Sequence, residues 1–437
     1  MPRTWSGSAP RDAPVATLLA ALVFATHLAS PIRTSFDSRW SIHTAVSLAY
    51  RGDADLEEYV ELLKADDDYA VEWRAGRRFT RFPIGPSLLA LPVVVAYDTA
   101  ARVLGWPSSE DLIRQKRAAL LEVLVASLVV ALTTALIFLI GRECSLGTPL
   151  AAALALIFAF CTPAWSTASR GLWQHGPAML ASATALYLFL LARRREVSAA
   201  LAGVALALGV VMRPTGVVPL AVIAAYVALR HPRQLPAFLL LAAVVLGAFV
   251  AANLWSFGAI LPSYFRPGGQ PVAASRDVPW ALLGHLVSPN RGLLVFSPVL
   301  VLAPVGVLVK AWGRRLDLLD AAAVSTVAAH LLVISFAGQW WAGHSYGPRF
   351  STDVLPLLAY LMIPALALVG ARDGGRRVPL VSLGVVGLLV AWSFFAHYRA
   401  ATTWDVWAWN GQPINVDERP ERAWDWSDMQ ILRGLGG

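Results

Sequence analysis

The chain has 437 residues, of which 57% are hydrophobic and only 15% carry a charge. A soluble domain has about 25% charged residues. Apolar runs of about 20 residues, the length of a membrane-crossing helix, recur from end to end and exclude a soluble globular protein.

The net charge of +8 would suit a protein that binds nucleic acid. Its distribution along the chain, described below, instead indicates how the protein is oriented in a membrane. We therefore expect a lipid bilayer as partner and no nucleic acid.

Twelve apolar runs predict an all-α, polytopic membrane protein. They fall at about 13–30, 83–104, 117–140, 149–164, 176–192, 198–212, 214–229, 235–254, 292–309, 318–337, 352–370 and 378–397. The first run follows two arginines, as in a signal peptide, but the many later runs favour an uncleaved first helix. The second run contains Pro83, Pro86 and Pro92, and proline breaks helices because it lacks a backbone donor. We therefore predict that 83–104 is a juxtamembrane or re-entrant helix that does not cross.

The other runs then give about eleven spans, with the N-terminus in the cytoplasm and the C-terminus outside. In this topology the inner segments hold fourteen Lys and Arg against six Asp and Glu, and the outer segments hold twenty-two of each. The whole net charge lies on the cytoplasmic side, as the positive-inside rule requires. We predict one inner-membrane domain over 1–397, with a first outer loop at 31–116 that carries juxtamembrane helices, and an outer tail at 398–437.

The predicted outer segments hold the candidate chemistry. Asp37 follows the first helix closely, where a carboxylate is placed to act as a general base or to hold a divalent ion; capping the next helix is the alternative. Guanidinium groups match phosphate geometry, although contact with lipid headgroups is the alternative for one near the interface. Four arginines are candidate contacts for a donor phosphate: Arg81, Arg213, Arg291 and Arg349.

Aromatic side chains are concentrated in the same outer segments. Residues 339–350 hold two Trp, a His, a Tyr and an Arg beside glycines that permit tight turns. Aromatic faces stack on sugar C–H groups, and His is a candidate acid, base or ligand as well as a structural residue. The candidate sugar or acceptor contacts are Trp173, His175, Trp340, Trp341, His344 and Tyr346.

Motifs for soluble cofactor chemistry are missing from the sequence. There is no Gly-rich GK[ST] loop, no His-Glu-x-x-His and no paired-Cys zinc site. Nothing indicates ATP coupling, so a group donor would have to arrive already activated on the outer face.

These outer segments resemble the GT-C superfamily of membrane glycosyltransferases, and most closely its protein-mannosyltransferase and RgtA/B/C/D-like group. Asp37, followed by a helix and by Arg51-Gly52, is similar to the loop that bears the essential acidic residue of that family. Arg81-Phe82-Pro83-Ile84-Gly85 is similar to its basic-x-Pro-x-Gly start of a juxtamembrane helix. Residues 209–215 and 253–258 lie where such sequences have similar motifs.

The resemblance implies a GT-C-like fold, a polyprenyl-phosphate sugar as donor and an inverting transfer on the non-cytoplasmic face. The acceptor would be a lipid, a glycan or a protein. Asp37 would be the general base or a metal ligand, and Arg81 would neutralise the donor phosphate. Many relatives have an acidic residue in the second outer loop, where this chain has none. If a divalent metal binds, His175 would have to replace that residue as the ligand beside Asp37.

Two other functions stay open at this point. A transporter or flippase of a lipid-linked saccharide would need symmetric halves with broken helices near the midplane, whereas the polar residues here lie at one face. A non-catalytic scaffold for envelope assembly would not need the composition of residues 339–350.

Overall fold

The computed structural model describes residues 9–63, 68–193, 197–266, 277–370 and 380–435. These residues are mostly helical. The α-helices are α1 (Ala9–Ala29), α2 (Ser41–Tyr50), α3 (Gly85–Leu104), α4 (Ser109–Arg114), α5 (Ala119–Glu143), α6 (Thr148–Phe160), α7 (His175–Arg193), α8 (Ala202–Met212), α9 (Val217–Arg230), α10 (Leu235–Phe257), α11 (Val278–Val287), α12 (Leu293–Phe296), α13 (Leu302–Trp312), α14 (Leu318–Ser335), α15 (Leu355–Gly370), α16 (Leu380–Thr402) and α17 (Asp405–Ala408). One antiparallel hairpin, β1 (Val71–Arg74) and β2 (Arg77–Thr80), was not predicted.

Eight helices in the described ranges are long and apolar enough to cross a membrane: α1, α3, α5, α7, α10, α14, α15 and α16. Five more are apolar but have only 10–17 residues: α6, α8, α9, α11 and α13. The chain is thus a helical, multi-pass membrane protein, as predicted. The count of eleven spans stays a prediction, because length and composition alone do not separate a crossing helix from one that lies along the surface.

The bundle has a buried centre and a lipid-facing periphery. In α5 and α15, 67% and 78% of the most apolar stretch is buried inside the protein, whereas the share is 17% in α10 and α16. One large core cluster joins α1, α5, α6, α7, α13 and α15 through side chains such as Phe138, Phe158 and Phe189. Soluble proteins rarely expose apolar surfaces as large as those of α10 and α16 to water. These two helices therefore face acyl chains.

The second apolar run differs from the prediction in one respect. Pro86 lies in the first turn of α3, where the missing N–H is harmless, and Pro92 lies inside the same helix. The helix is continuous over 20 residues. The argument that prolines interrupt this segment is therefore wrong, and the prediction that it does not cross has to rest on its contacts.

Both ends of α3 are held by neighbouring segments. At its first residue, Gly85, an added Cβ would approach the Met212 Cα at the end of α8 to 2.7 Å. Near the other end, the Asp98 carboxylate accepts hydrogen bonds from the Tyr50 hydroxyl and the Ser109 N–H, each of 2.6 Å. The helix is therefore fixed to the end of α2 and to the start of α4.

A cap of loops and short helices covers one end of the bundle. The segments from α2 to α4 surround a second core cluster of Trp40, Ile42, Tyr59, Val94 and Ile113. The chain after α16 folds back onto the turn after α11 and onto residues 339–347. Several candidate residues lie where the loop before α2 meets the starts of α7 and α15.

Candidate functional site

Asp37 lies in the turn between α1 and α2 and contacts residues from two distant parts of the chain. Its Oδ2 is 3.1 Å from Arg349 Nη1, in an ion pair across 312 residues of sequence. Its Oδ1 accepts a hydrogen bond of 3.1 Å from the Tyr69 hydroxyl. The Asp37 side chain keeps 21% of its surface exposed. The candidate base and one candidate phosphate contact are therefore direct partners at an accessible place.

A buried carboxylate fixes the loop that carries Asp37. Glu122, in the first turn of α5, accepts hydrogen bonds from the Ser35 and Ser38 hydroxyls on either side of Asp37 and from the Leu172 N–H. The Ser38 bond is 2.5 Å and the Leu172 bond 3.3 Å. Glu122 therefore joins the loop of Asp37 to the second predicted outer loop.

The same two loops also bond to each other directly. The Thr34 N–H donates to the Arg170 carbonyl at 2.7 Å, and the Trp173 indole N–H donates to the Thr34 hydroxyl at 3.1 Å. They lie so close that a Cβ on Gly171 would collide with the Thr34 carbonyl. Only glycine fits there, so the position of Asp37 relative to Trp173 is set by backbone packing.

Arg170 fastens the end of α1 below this loop. Its buried guanidinium donates to the carbonyls of Ser30 and Ile32, both at 3.1 Å, and also to that of His27. Burial lowers the pKa of Arg170 to about 9, so the group stays charged at neutral pH. Arg170 thus holds the end of α1 in place, and the loop that carries Asp37 begins there.

Trp173 and Arg349 form an aromatic and cationic surface beside Asp37. The Arg349 guanidinium lies 4.5 Å from the centroid of the Trp173 ring and 5.3 Å from that of Phe350. Its Nε is buried and has no hydrogen-bond partner among the described residues. A guanidinium with an unused donor, held over an aromatic ring, is suited to a phosphate oxygen.

His175 and Arg213 belong to a buried cluster organised by Asp353. Asp353 Oδ1 is 2.8 Å from His175 Nδ1, and Oδ2 is 2.6 Å from Arg213 Nη1. Oδ2 also accepts a hydrogen bond of 3.0 Å from the Thr215 hydroxyl. Arg213 is thus an internal ion-pair partner, which agrees with the cost of an unpaired charge at membrane depth.

One short 3-10 helix links the pair of Asp37 and Arg349 to the buried cluster around Asp353. Arg349 and Asp353 lie in the segment Arg349–Val354 that leads into α15. Tyr264 lies close to both groups, because the charges of Asp37, Arg213 and Arg349 all influence its pKa, which burial raises. Its hydroxyl accepts a hydrogen bond of 2.8 Å from Gln174. Five predicted residues therefore come together around one place: Asp37, Trp173, His175, Arg213 and Arg349.

Arg81 lies at the edge of this site. Its backbone N–H donates to the carbonyl of Ala70, the residue after Tyr69, at 2.8 Å. The following residue, Phe82, packs against the rings of Tyr69 and Tyr264 with centroid distances of 6.1 and 5.4 Å. Arg81 Nε is buried and has no partner among the described residues. The guanidinium is thus a neighbour of the site, without a direct hydrogen bond to Asp37.

Arg291 was predicted as a phosphate contact, and its hydrogen bonds contradict this. All five N–H groups of its buried guanidinium are used inside the described structure. They bond to the carbonyls of Asn290, Trp341 and Gly343 and to the side chains of Asn410 and Gln430. Burial lowers its pKa to about 9. Arg291 holds the C-terminal tail to residues 339–347.

Some aromatic side chains of residues 339–350 are buried in the protein, and others are partly exposed. Tyr346 is fully buried and donates to the Ala396 carbonyl at 2.6 Å, so its prediction as a sugar contact is wrong. Trp340 is 8% exposed and packs against Trp424. Trp341 and His344 reach the outer surface.

A polar group forms around Asp417 at that surface. Its Oδ1 accepts hydrogen bonds from the indole N–H of Trp341 at 2.8 Å and from Gln339 at 2.6 Å. His344 Nε2 lies 2.8 Å from the Asn415 side-chain oxygen. None of these side chains bonds to Asp37 within the described residues, so Trp341 and His344 form a separate patch.

The predicted metal pair, Asp37 and His175, has other partners here. Asp37 is bound to Arg349, and His175 to Asp353 and Arg213. In the part of the chain that is described, three carboxylates approach one another elsewhere, at Asp53, Asp55 and Glu58. Each of them already accepts a hydrogen bond from the protein.

An elongated groove of about 660 Å³ runs along α3, α8 and α10. Its walls are apolar and include Leu88, Leu208, Val211, Val244 and Phe249. One end is polar and is lined by residues of the cap, among them Asp53, Asp55, Arg74 and Arg77. An apolar trough with a charged end suits a molecule that has a hydrocarbon tail and an anionic head.

Comparison with known proteins gives no relative: no family model, no curated protein and no solved structure matches the chain.

Four residues of the site were not predicted: Tyr69, Glu122, Tyr264 and Asp353. Glu122 had a usable signal, since it is a single acid inside the apolar run 117–140 and such a charge indicates a function or a partner. Asp353 directly follows the segment 339–350 and offered the same signal. The two tyrosines had none, because nothing in their local sequence distinguishes them from other loop aromatics.

Proposed function

We propose that this protein is a GT-C-type glycosyltransferase that moves a sugar from a polyprenyl-phosphate donor to an acceptor on the non-cytoplasmic face of the inner membrane. The observation that carries the proposal is the pair of Asp37 and Arg349, which lies on the face of Trp173 at one end of a membrane bundle. A carboxylate, a cation with an unused donor and an aromatic ring are the three groups that this transfer needs.

The reaction is a displacement at the anomeric carbon. The acceptor oxygen forms a bond to that carbon while its proton passes to Asp37, and the bond from the carbon to the phosphate oxygen breaks. The leaving polyprenyl phosphate keeps the electron pair of the broken bond, and Arg349 neutralises its charge. Attack from the face opposite the phosphate inverts the configuration.

Tyr69 has a positioning role in this scheme. Burial and the nearby Asp37 carboxylate raise the pKa of Tyr69 to about 12, so its hydroxyl keeps its proton at neutral pH. It then donates to one oxygen of Asp37 and leaves the other for the acceptor once Arg349 has turned to the phosphate. Arg81 is the second cation for the donor, since its Nε is free among the described residues.

The groove along α3, α8 and α10 would hold the prenyl chain. Val211 lines it, and Arg213, two residues further, is part of the buried cluster of the site. Near its C-terminal end α3 is hydrogen-bonded to the end of α2 and to the start of α4, and its first residue packs against the end of α8. These contacts support the prediction that this helix lies along the membrane surface. With α3 on the surface, the eleven-span topology and the outward site are consistent with the charge distribution.

Replacement of Asp37 by Asn tests the proposal. The amide cannot accept a proton, so transfer of labelled sugar from a panel of polyprenyl-phosphate sugars should fall by a factor of about 100 or more. The variant should still be expressed and folded, with only a small fall in the thermal midpoint, because Asn keeps the volume of the side chain and the lost ion pair is partly exposed. Glu421→Gln, an exposed acid-to-amide change in the tail, is the matched control and should keep full activity.

Two results would count against the proposal. Full transfer by Asp37→Asn would remove the base assignment. A wild-type protein that moves lipid-linked saccharide across vesicle membranes, without any transfer product, would indicate a carrier.

A further inference from the structure

A second polar cavity lies at the opposite end of the bundle from Asp37. It measures about 460 Å³ and is formed by α7, α13 and α15. Helix α7 begins at His175 in the candidate site and ends at Arg193 in this cavity. Its 19 residues span about 28 Å, which is close to the thickness of the hydrocarbon core of a bilayer. The cavity therefore lies at the other membrane surface, which the charge distribution predicts to be cytoplasmic.

The end of α13 brings two cations to this cavity. The N–H of Arg315 donates to the Lys310 carbonyl at 2.8 Å, and the N–H of Arg314 donates to that of Ala311 at 3.0 Å. This pair of bonds is the Schellman turn that closes many helices, with Arg314 in the left-handed conformation at φ 51°. The aliphatic part of Arg315 lies over Gly313, because a Cβ on that glycine would be 3.6 Å from Arg315 Cδ. Lys310 and Arg315 thus face one cavity.

The charges around the cavity leave one cation available. Arg193 pairs with Asp317 at 3.0 Å, and the Lys310 amine lies 2.7 Å from an oxygen of the buried Asp320. Arg315 is exposed and has no ion-pair partner among the described residues. Besides Arg193, Lys310 and Arg315 the lining has one acid, Glu143. Because Asp317 and Asp320 balance two of the three cations, the attraction for an anion rests on Arg315.

The other wall of the cavity is apolar and open to lipid. Val309, Ile363, Ala367 and Leu368 line it, and Leu368 is 52% exposed. Trp312, between the two cations of α13, is 90% exposed. Exposed tryptophan beside basic residues is typical of a helix end at the headgroup level of a bilayer. The cavity therefore combines one available cation, Arg315, with an apolar flank for acyl chains.

We propose that this cavity binds the headgroup phosphate of an anionic glycerophospholipid, with Arg315 as its main contact. Basic pockets between membrane helices recognise such headgroups. The apolar flank favours a lipid over free phosphate. The distance from Asp37 separates the site from any donor lipid that reacts there. The inference does not depend on the glycosyltransferase assignment.

The test measures lipid bound to the full chain. Purified protein is mixed with micelles of phosphatidylglycerol and phosphatidylcholine, and the bound lipid is counted by native mass spectrometry. We expect phosphatidylglycerol to be retained in preference. Arg315→Gln should weaken its apparent affinity about five-fold, since a basic residue near the membrane surface contributes about that factor. Arg315→Lys should restore part of it.

Arg233→Gln is the matched control, because Arg233 is also exposed and follows α9 at the same end of the bundle, outside the cavity. It should bind phosphatidylglycerol as the wild type does. An equal loss in both Gln variants, or no loss in Arg315→Gln, would overturn the proposal. So would displacement of the lipid by inorganic phosphate at low concentration, which would show that the acyl chains contribute nothing.

Discussion

The buried pair of Asp353 and Arg213 offers the sharpest test of the site architecture. Asp353→Asn removes a carboxylate that pairs with Arg213 at 2.6 Å and also bonds to His175 and Thr215. Both members of the pair are less than one tenth exposed. The change therefore leaves a guanidinium charge buried without its counter-ion, while the shape of the cluster stays almost the same.

The size of the effect follows from that burial. Removal of one partner of a buried ion pair costs about 3–5 kcal/mol, because the remaining charge is uncompensated. Arg213→Met leaves Asp353 with the hydrogen bonds of Thr215 and His175, so it should cost somewhat less. When both are replaced, no charge is left, and the double variant should be more stable than the sum of the two losses by about 2 kcal/mol.

The assay is a double-mutant cycle of thermal unfolding in detergent, with transfer activity as a second readout. At about 2 °C per kcal/mol for a large domain, Asp353→Asn alone should lower the midpoint by roughly 6–10 °C. The surface pair of Arg51 and Glu58, at 3.1 Å with 36% and 15% exposure, is the control and should couple by less than about 1 kcal/mol. Additive losses at Asp353 and Arg213 would refute the description of the cluster as an ion-paired unit.

Two further predictions concern the cap and the tail. Burial lowers the pKa of His43 to about 4. Between about pH 6.5 and 4 the unfolded chain therefore takes up a proton at His43, whereas the folded chain does not. The contribution of His43 to the free energy of unfolding should fall by about 3 kcal/mol as the pH decreases over this window. His43→Phe should reduce the loss of stability over this window by about that amount, while other buried histidines keep their share, and an unchanged profile would contradict the assignment. Arg291→Lys loses the planar fork that holds five acceptors, so limited proteolysis should release the tail faster than in the wild type, while an equally resistant tail would argue against the clamp.

Much of the site could be predicted from local composition. Asp37 was predicted as a base or a metal ligand, Arg213 and Arg349 as phosphate contacts, and Trp173 and His175 as sugar or acceptor contacts, each from its residue type and its place in an outer segment. They do come together. The pairing of Asp37 with Arg349 could not be predicted, because it joins segments 312 residues apart and depends on how α1 and α15 pack.

The errors have physical causes as well. The richness of residues 339–350 does not say which side chains turn inward, and here Gly343 and Gly347 take positive φ angles that redirect the backbone. Tyr346 is consequently buried and Trp341 is not. The prediction for Arg291 failed because a basic residue in a loop suits a phosphate and amide oxygens equally well. Its acceptors in the tail are side-chain oxygens of residues more than 100 positions further along the chain.

The ion pair between Asp37 and Arg349 has a consequence for the order of events in the proposed reaction. While the pair is closed, one oxygen of Asp37 is bonded to Arg349 and the other to the Tyr69 hydroxyl, so both oxygens already have donors when the site is empty. Only a ligand that draws Arg349 away by its own negative charge frees Asp37. The kinetics should then be sequential, with the phosphate-bearing donor first and the neutral hydroxyl of the acceptor second.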